Sequence, residues 1–240
     1  MNRGKTGGKT ARTVWLFDLD NTLHDAGAFV FPALKVSMRG YIQQQLQVDA
    51  VEALRLNLHY WGRYGATLLG LVRHHGVDAA HFLHHTHRLP GLEAHIGSHR
   101  HDLQALAQLP GRRFVLTNAP RAYALRVLAA LGIAHVFEGV FAIEDMAMFG
   151  QLRPKPDARM LRRLAVRLQV SPARCVLVED TLVHQKSARR VGMGTVWMQR
   201  YARRSPAAEG PAPRWSMLPA YVDRRVRALP VDPPDRPRGR

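Results

Sequence analysis

Four short apolar runs punctuate the chain, and three of them break off at polar residues. Thr13 to Phe17 stops at Asp18, Arg113 to Leu116 at Thr117 and Asn118, and Arg174 to Val178 at Glu179 and Asp180. Gly194 to Met198 is the fourth. Continuous runs rich in β-branched residues predict strands buried on both faces of a parallel sheet. Helical spacing fills the gaps between them. Arg121 to Leu131 repeats Ala122, Leu125, Leu128 and Ala129 before a stop at Gly132. Pro156 to Leu168 repeats Met160, Leu161, Leu164, Ala165 and Leu168, with proline at its start. This alternation predicts an α/β domain over residues 13–25 and 98–204. Residues 26–97 lack strand runs and read as four or five helices: Ala28 to Leu46, Asp49 to Trp61, Ala66 to His75 and Asp78 to His87, with Asp49 and Asp78 as N-caps. A helical block directly after the first strand would lie over that strand's carboxyl end, where α/β sheets bind ligands.

The polar residues at the strand ends carry the chemistry. Asp18 and Asp20 leave a buried strand two residues apart, a spacing that can turn both the same way. Thr117 with Asn118 and Glu179 with Asp180 end two further strands, and Lys155 sits between prolines just before a helix. Each feature alone has a plain structural explanation, such as a turn or a helix start. Together, in this order and spread over Thr13 to Met198, they resemble the four motifs of the haloacid dehalogenase-like hydrolases.

That resemblance implies a Rossmann-like core with a parallel sheet and a helical cap inserted after the first strand. It makes Asp18 the nucleophile of a phosphoaspartyl intermediate and Asp20 the general acid and base. Thr117, Asn118 and Lys155 would bind phosphate. Asp18, Asp180 and the backbone carbonyl of Asp20 would hold Mg²⁺, with Glu179 as a further ligand or a supporting partner. The charges agree with such roles. A phosphate monoester is itself anionic, so an anionic nucleophile needs cations nearby. Oxygen donors without a thiolate suit Mg²⁺. The negative neighbours of Asp20 are expected to raise its pKa.

An acid at position 20 favours a phosphoryl enzyme over a dehalogenase, whose halide leaves without a proton. Residues 59–79 (HYWGRYGATLLGLVRHHGVDA) resemble the Tyr-x-x-Tyr-Gly-x-x-x-x-Gly-Leu stretch of the pyrimidine 5′-nucleotidase subfamily, as does FDLDNTL with Asn21 in place of glycine. The resemblance implies nucleoside 5′-monophosphates such as UMP or CMP as substrates. Arg63 and Tyr64 would contact the ribose or phosphate and the base. Alternatively, Tyr60, Trp61 and Tyr64 fill the cap's own core. Another small phosphometabolite, phosphoglycolate or a sugar phosphate, is the alternative substrate.

Composition narrows the picture. At 46% hydrophobic and 22% charged, the 240 residues are ordinary for a folded protein. The single cysteine, Cys175, excludes a disulfide framework and falls in a strand as a core residue. No apolar run nears the roughly 18 residues that span a bilayer, and the apolar stretch after the basic N-terminus is short, so a cytoplasmic protein, monomer or homodimer, is expected. The net charge of +17 is unusual; residues 1–12 carry four basic and no acidic residues, and residues 201–240 carry nine arginines against four acids. Such a balance suggests an anionic partner, either a phosphorylated metabolite or a nucleic acid bound beside an idle hydrolase site. Intact Asp18, Asp20, Lys155 and Asp180 argue against an idle site. Residues 1–12 and about 230–240 have little to bury and are expected to be poorly ordered; whether Tyr221 to Leu229 packs is left open. His81, His84 and His85 share a helical face with no acidic neighbour to complete a metal site, so a polar cap surface is expected there.

Overall fold

The computed structural model describes residues 13–204 and 216–229, so the basic N-terminus, the stretch from Ser205 and the last eleven residues, with the order expected of them, lie outside it. In chain order the strands are β1 (Val14–Phe17), β2 (Arg112–Leu116), β3 (Gly139–Phe141), β4 (Ala147–Met148), β5 (Gln151–Leu152), β6 (Cys175–Glu179), β7 (Gly194–Met198) and β8 (Arg224–Val226). Six of them form one parallel sheet in the order β3-β2-β1-β6-β7-β8. β4 and β5 make a separate antiparallel pair. The crossovers and two flanking layers are those of a Rossmann-like α/β core.

Period-two alternation explains why the strand runs are apolar throughout. Trp15 and Phe17 enter one core cluster, Val14 and Leu16 the other. Helix α6 (Arg121–Ala130) covers the first face with Tyr123, Ala124, Val127 and Leu128. Helices α7 (Ala158–Arg167) and α8 (Leu182–Arg190) pack on the second, where Cys175 is buried as expected. All five apolar residues read for α7 are buried there, and Asp157 caps it through the amides of Arg159 and Met160. On α6 the expected face holds at Leu128 and is otherwise off by about one residue. Ala122, Leu125 and Ala129 are exposed, because Tyr123 and Val127 share the same period and offer larger surfaces to bury.

The segment Tyr221 to Leu229 packs. β8 pairs with β7, Asp223 accepts bonds from the amide and hydroxyl of Thr195, and the buried Leu229 donates its amide to Asp102. β3 and β8 are too short to announce themselves, and neighbouring strands supply their burial. Helix α5 (Arg100–Gln108), which leads into β2, was likewise silent in the sequence.

Between β1 and β2 stand α1 (Val30–Leu46), α2 (Ala50–Tyr64), α3 (Thr67–His75) and α4 (Ala79–Thr86). Asp49 and Asp78 cap α2 and α4 as expected, accepting from Glu52 N–H at 2.8 Å and His81 N–H at 2.6 Å. These helices share their own core of Tyr41, Ile42, Leu56, Tyr60, Leu71 and Phe82. His81, His84 and His85 lie on the exposed side, with the His81 ring bonded to the Tyr41 hydroxyl. Among the described residues no helix is long and apolar enough to cross a membrane.

Gly70 is required by the packing of α2 on α3. A Cβ there would lie 2.1 Å from the Tyr60 ring, which His75 anchors at its hydroxyl. Gly70→Ala would gain up to about 1 kcal/mol of helix propensity, but overpacking costs about 1–3 kcal/mol. The expected outcome is a net destabilisation of about 1–2 kcal/mol in urea unfolding.

Candidate active site

β1, β2 and β6 end at one edge of the sheet because Phe17 is in register with both Val115 and Val178. Asp18 stays in line one residue further, its amide donating to Val178 O at 2.9 Å. The chain then turns sharply: Leu23 N–H bonds Leu19 O at 2.9 Å, and Asn21 adopts φ 58°, a left-handed conformation that asparagine tolerates. The turn brings the Thr22 hydroxyl back to Asp18 Oδ2 at 3.2 Å.

Lys155 reaches the same point from the segment between β5 and α7. Asn118 clasps its backbone on both sides, accepting the Lys155 N–H at Oδ1 and donating Nδ2–H to the Lys155 carbonyl, each at 2.9 Å. Lys155 Nζ then lies 2.6 Å from Asp18 Oδ1 and 2.7 Å from Glu179 Oε2. Lys155 is 2% exposed and Glu179 1%, so water does little to screen the three charges. Glu179 Oε1 accepts the Thr181 amide, and His184 Nδ1 lies 3.1 Å from Oε2. Asp180, next to Glu179, accepts from the Thr181 hydroxyl at 3.1 Å, while its carbonyl accepts the Trp197 indole N–H.

One ammonium does not balance three carboxylates. Burial pushes the Asp18 carboxyl up to about 7, with Glu179 adding to the push and Lys155 opposing it. Burial, then Glu179 and Asp18, raise Asp180 as well. Burial would also raise Glu179, but Lys155, His184 and a bond from Asp180 together outweigh it and hold that carboxyl low. Lys155 in turn stays charged against its burial because Asp18 and Glu179 face it. Oxygen atoms of Asp18, Glu179 and Asp180 lie within 4.8 Å of one another. This is a surplus of negative charge on hard donors, and it fits a divalent cation of the Mg²⁺ kind.

Asp20 stands apart from this group. Its Oδ1 accepts the Tyr123 hydroxyl at 2.6 Å and His24 Nε2 at 2.8 Å. The expected rise in its pKa is overturned. Burial does act upward, but the bonds from His24 and Tyr123 outweigh it and hold the carboxyl below its ordinary value. Thr117 is buried, and its Oγ1 accepts the Ala119 amide, which leaves its hydroxyl hydrogen to donate. Asn118 is placed as the clasp on Lys155. Arg63 and Tyr64 are not brought into the cluster. Arg63 is exposed, and Tyr64 bonds His74 at 2.6 Å and packs on the cap's core.

Sequence reasoning missed Thr22, His24, Tyr123 and His184. His24 carried one signal, a titratable residue following the acidic turn. Tyr123 carried none, since the face assigned to α6 excluded it.

The family model of the haloacid dehalogenase-like hydrolases matches residues 13–192. The chain is 26% identical over 198 residues to Phosphate metabolism protein 8 of Saccharomyces cerevisiae, covering 78% of this chain and 61% of that one. It is 35% identical over 123 residues to a plasmid-borne phosphoglycolate phosphatase of Cupriavidus necator, covering 51% of this chain and 47% of that one. It thus spans less than two thirds of the length of either relative. CbbY from Rhodobacter sphaeroides, in complex with phosphate, shares the fold with a TM-score of 0.60 at 19% identity, over 90% of this chain and 94% of that one.

The surplus charge makes a thermodynamic prediction. A divalent cation at a hundred times its dissociation constant should stabilise the protein by about 2.7 kcal/mol. Asp180→Asn should abolish that gain, yet leave the metal-free protein at least as stable as wild type, because it removes one repelling carboxylate. Thermal melts with Mg²⁺ and with EDTA check both halves.

Proposed function

The chain belongs to the haloacid dehalogenase-like hydrolases, and from that premise we propose that it is a Mg²⁺-dependent phosphatase of small phosphate monoesters. The observation that carries the reading is Lys155 Nζ held between Asp18 at 2.6 Å and Glu179 at 2.7 Å, with Asp180 beside them. A bound Mg²⁺ on Asp18, Asp180 and the Asp20 carbonyl would neutralise charge on the phosphoryl oxygens. Glu179, committed to Lys155, supports the lysine in the first instance.

A carboxylate oxygen of Asp18 attacks phosphorus. The bond from phosphorus to the leaving oxygen breaks, and its electron pair goes to that oxygen, which takes a proton from Asp20. Water then attacks the aspartyl phosphate and gives a proton to Asp20. The bond from phosphorus to Asp18 breaks, and its electron pair restores the carboxylate. One water is consumed, and an alcohol and phosphate are released. Lys155 and the Thr117 hydroxyl hold the phosphoryl oxygens throughout.

The helical cap, which we assign to residues 26–97, restricts the substrate to small esters. Its resemblance at residues 59–79 to the pyrimidine 5′-nucleotidase subfamily supports nucleoside 5′-monophosphates, UMP or CMP. Tyr60 lies in the cap core over Gly70, so any stacking on a base falls to other residues, Tyr64 among them. The relative named as a phosphoglycolate phosphatase favours a second reading, in which the ester is a short phosphorylated acid.

A phosphate-release panel of UMP, CMP, phosphoglycolate and sugar phosphates separates these substrates. Activity should vanish with EDTA and with Asp18→Asn. Asp20→Asn should lower kcat by about 10²–10⁴-fold on the preferred ester. An enzyme indifferent to EDTA and to Asp18→Asn would refute the assignment.

A further inference from the structure

Two buried side chains outside the carboxylate cluster converge on one oxygen of Asp20. Tyr123 comes from α6 and His24 from the turn after β1, and they are 1% and 0% exposed. The hydroxyl of Tyr123 donates to Asp20 Oδ1 at 2.6 Å, and His24 Nε2 lies 2.8 Å from the same atom. Among the described residues the other ring nitrogen, Nδ1, is buried with no partner, so Asp20 is the one side chain the His24 ring bonds. A carboxylate oxygen has two lone pairs, and both on Oδ1 are taken.

We propose that Tyr123 and His24 are positioning residues that lock the Asp20 carboxylate so that Oδ2 alone exchanges protons with the leaving group and with water. This rests on the phosphatase reading and deepens it. The geometry supplies the reason. Asp20 leaves the strand two residues after the lysine-bound Asp18, and an unrestrained carboxylate would sample several rotamers. Two donors from separate elements, α6 and the turn after β1, fix one of them. Both donors act through Asp20. The arrangement costs the burial of a phenol and an imidazole, and each group recovers that cost with a short bond to the same carboxylate.

Leaving-group chemistry tests the lock. An alkyl ester needs its leaving oxygen protonated, whereas p-nitrophenolate departs as an anion. In kcat/KM, which reports steps through phosphoryl transfer to Asp18, Tyr123→Phe should lose roughly tenfold on the best alkyl ester of the panel. It should lose less than about twofold on p-nitrophenyl phosphate, since protonation there contributes little. His24→Leu should show the same split, and His24→Gln, which keeps a donor, should restore most of the alkyl activity. The histidine pair reads the same comparison should Tyr123→Phe fold poorly. Equal losses on both esters, or no loss on either, would overturn the lock while leaving the phosphatase reading intact. A wild-type protein inactive on both esters with Mg²⁺ would overturn the phosphatase reading and the lock with it.

Discussion

The buried ammonium of Lys155 between Asp18 and Glu179 is the constraint on which the rest of the site depends. Three charged side chains have left water almost completely, and removing one partner of such a group typically costs about 3–5 kcal/mol. The arrangement survives only if its geometry is enforced from outside. Asn118 at the end of β2 grips the backbone of Lys155 on both sides, and the Ser187 hydroxyl donates to the carbonyl of Pro156 next to it. Parallel register across β2, β1 and β6 sets Asp18 level with Glu179. The sheet thus works as a jig: its hydrophobic faces hold the strands, and the strands hold the charges together against their own repulsion.

This explains which parts of the molecule were legible in the sequence. β1, β2, β6 and β7 are buried on both faces, so their hydrophobicity is continuous and ends abruptly where the site begins. The polar residues at those ends are unusual for the same reason that they are useful, and Asp18, Thr117, Glu179 and Asp180 could be read directly. β3 and β8, of three residues each, are stabilised by neighbours rather than by local pattern. Nothing in the Arg-rich segment that includes β8 marks it as a strand until β7 offers it a ladder.

The misread face of α6 matters more than its size suggests. Ala122, Leu125 and Ala129 fit a helical period as well as Tyr123, Ala124 and Val127 do, and periodicity cannot choose between two phases one residue apart. Only packing into the core cluster that also holds Trp15 and Phe17 decides it, and that packing delivers the Tyr123 hydroxyl to Asp20. In the cap, the three aromatic residues read as either core or base-contacting separate. Tyr60 is a packing residue whose ring dictates a glycine opposite, Tyr64 packs against the core's edge, and Trp61 is exposed. Aromatic content alone could not make that division.

Asp18 and Asp20 are two residues apart yet occupy opposite electrostatic surroundings. At Asp18 burial, then the Glu179 carboxylate, pushes toward the neutral form against Lys155. Asp20 faces two hydrogen-bond donors, which favour its ionised form despite burial. On the proposed reading, a divalent cation held by the cluster would oppose the first bias and favour the anion that a nucleophile needs. A phosphate monoester bound there would, by its own negative charge, oppose the second and favour protonation of Asp20. On that reading, the ion and the ester would act on the two carboxyls in opposite senses, each by its charge, and so favour an anion at Asp18 and a proton at Asp20.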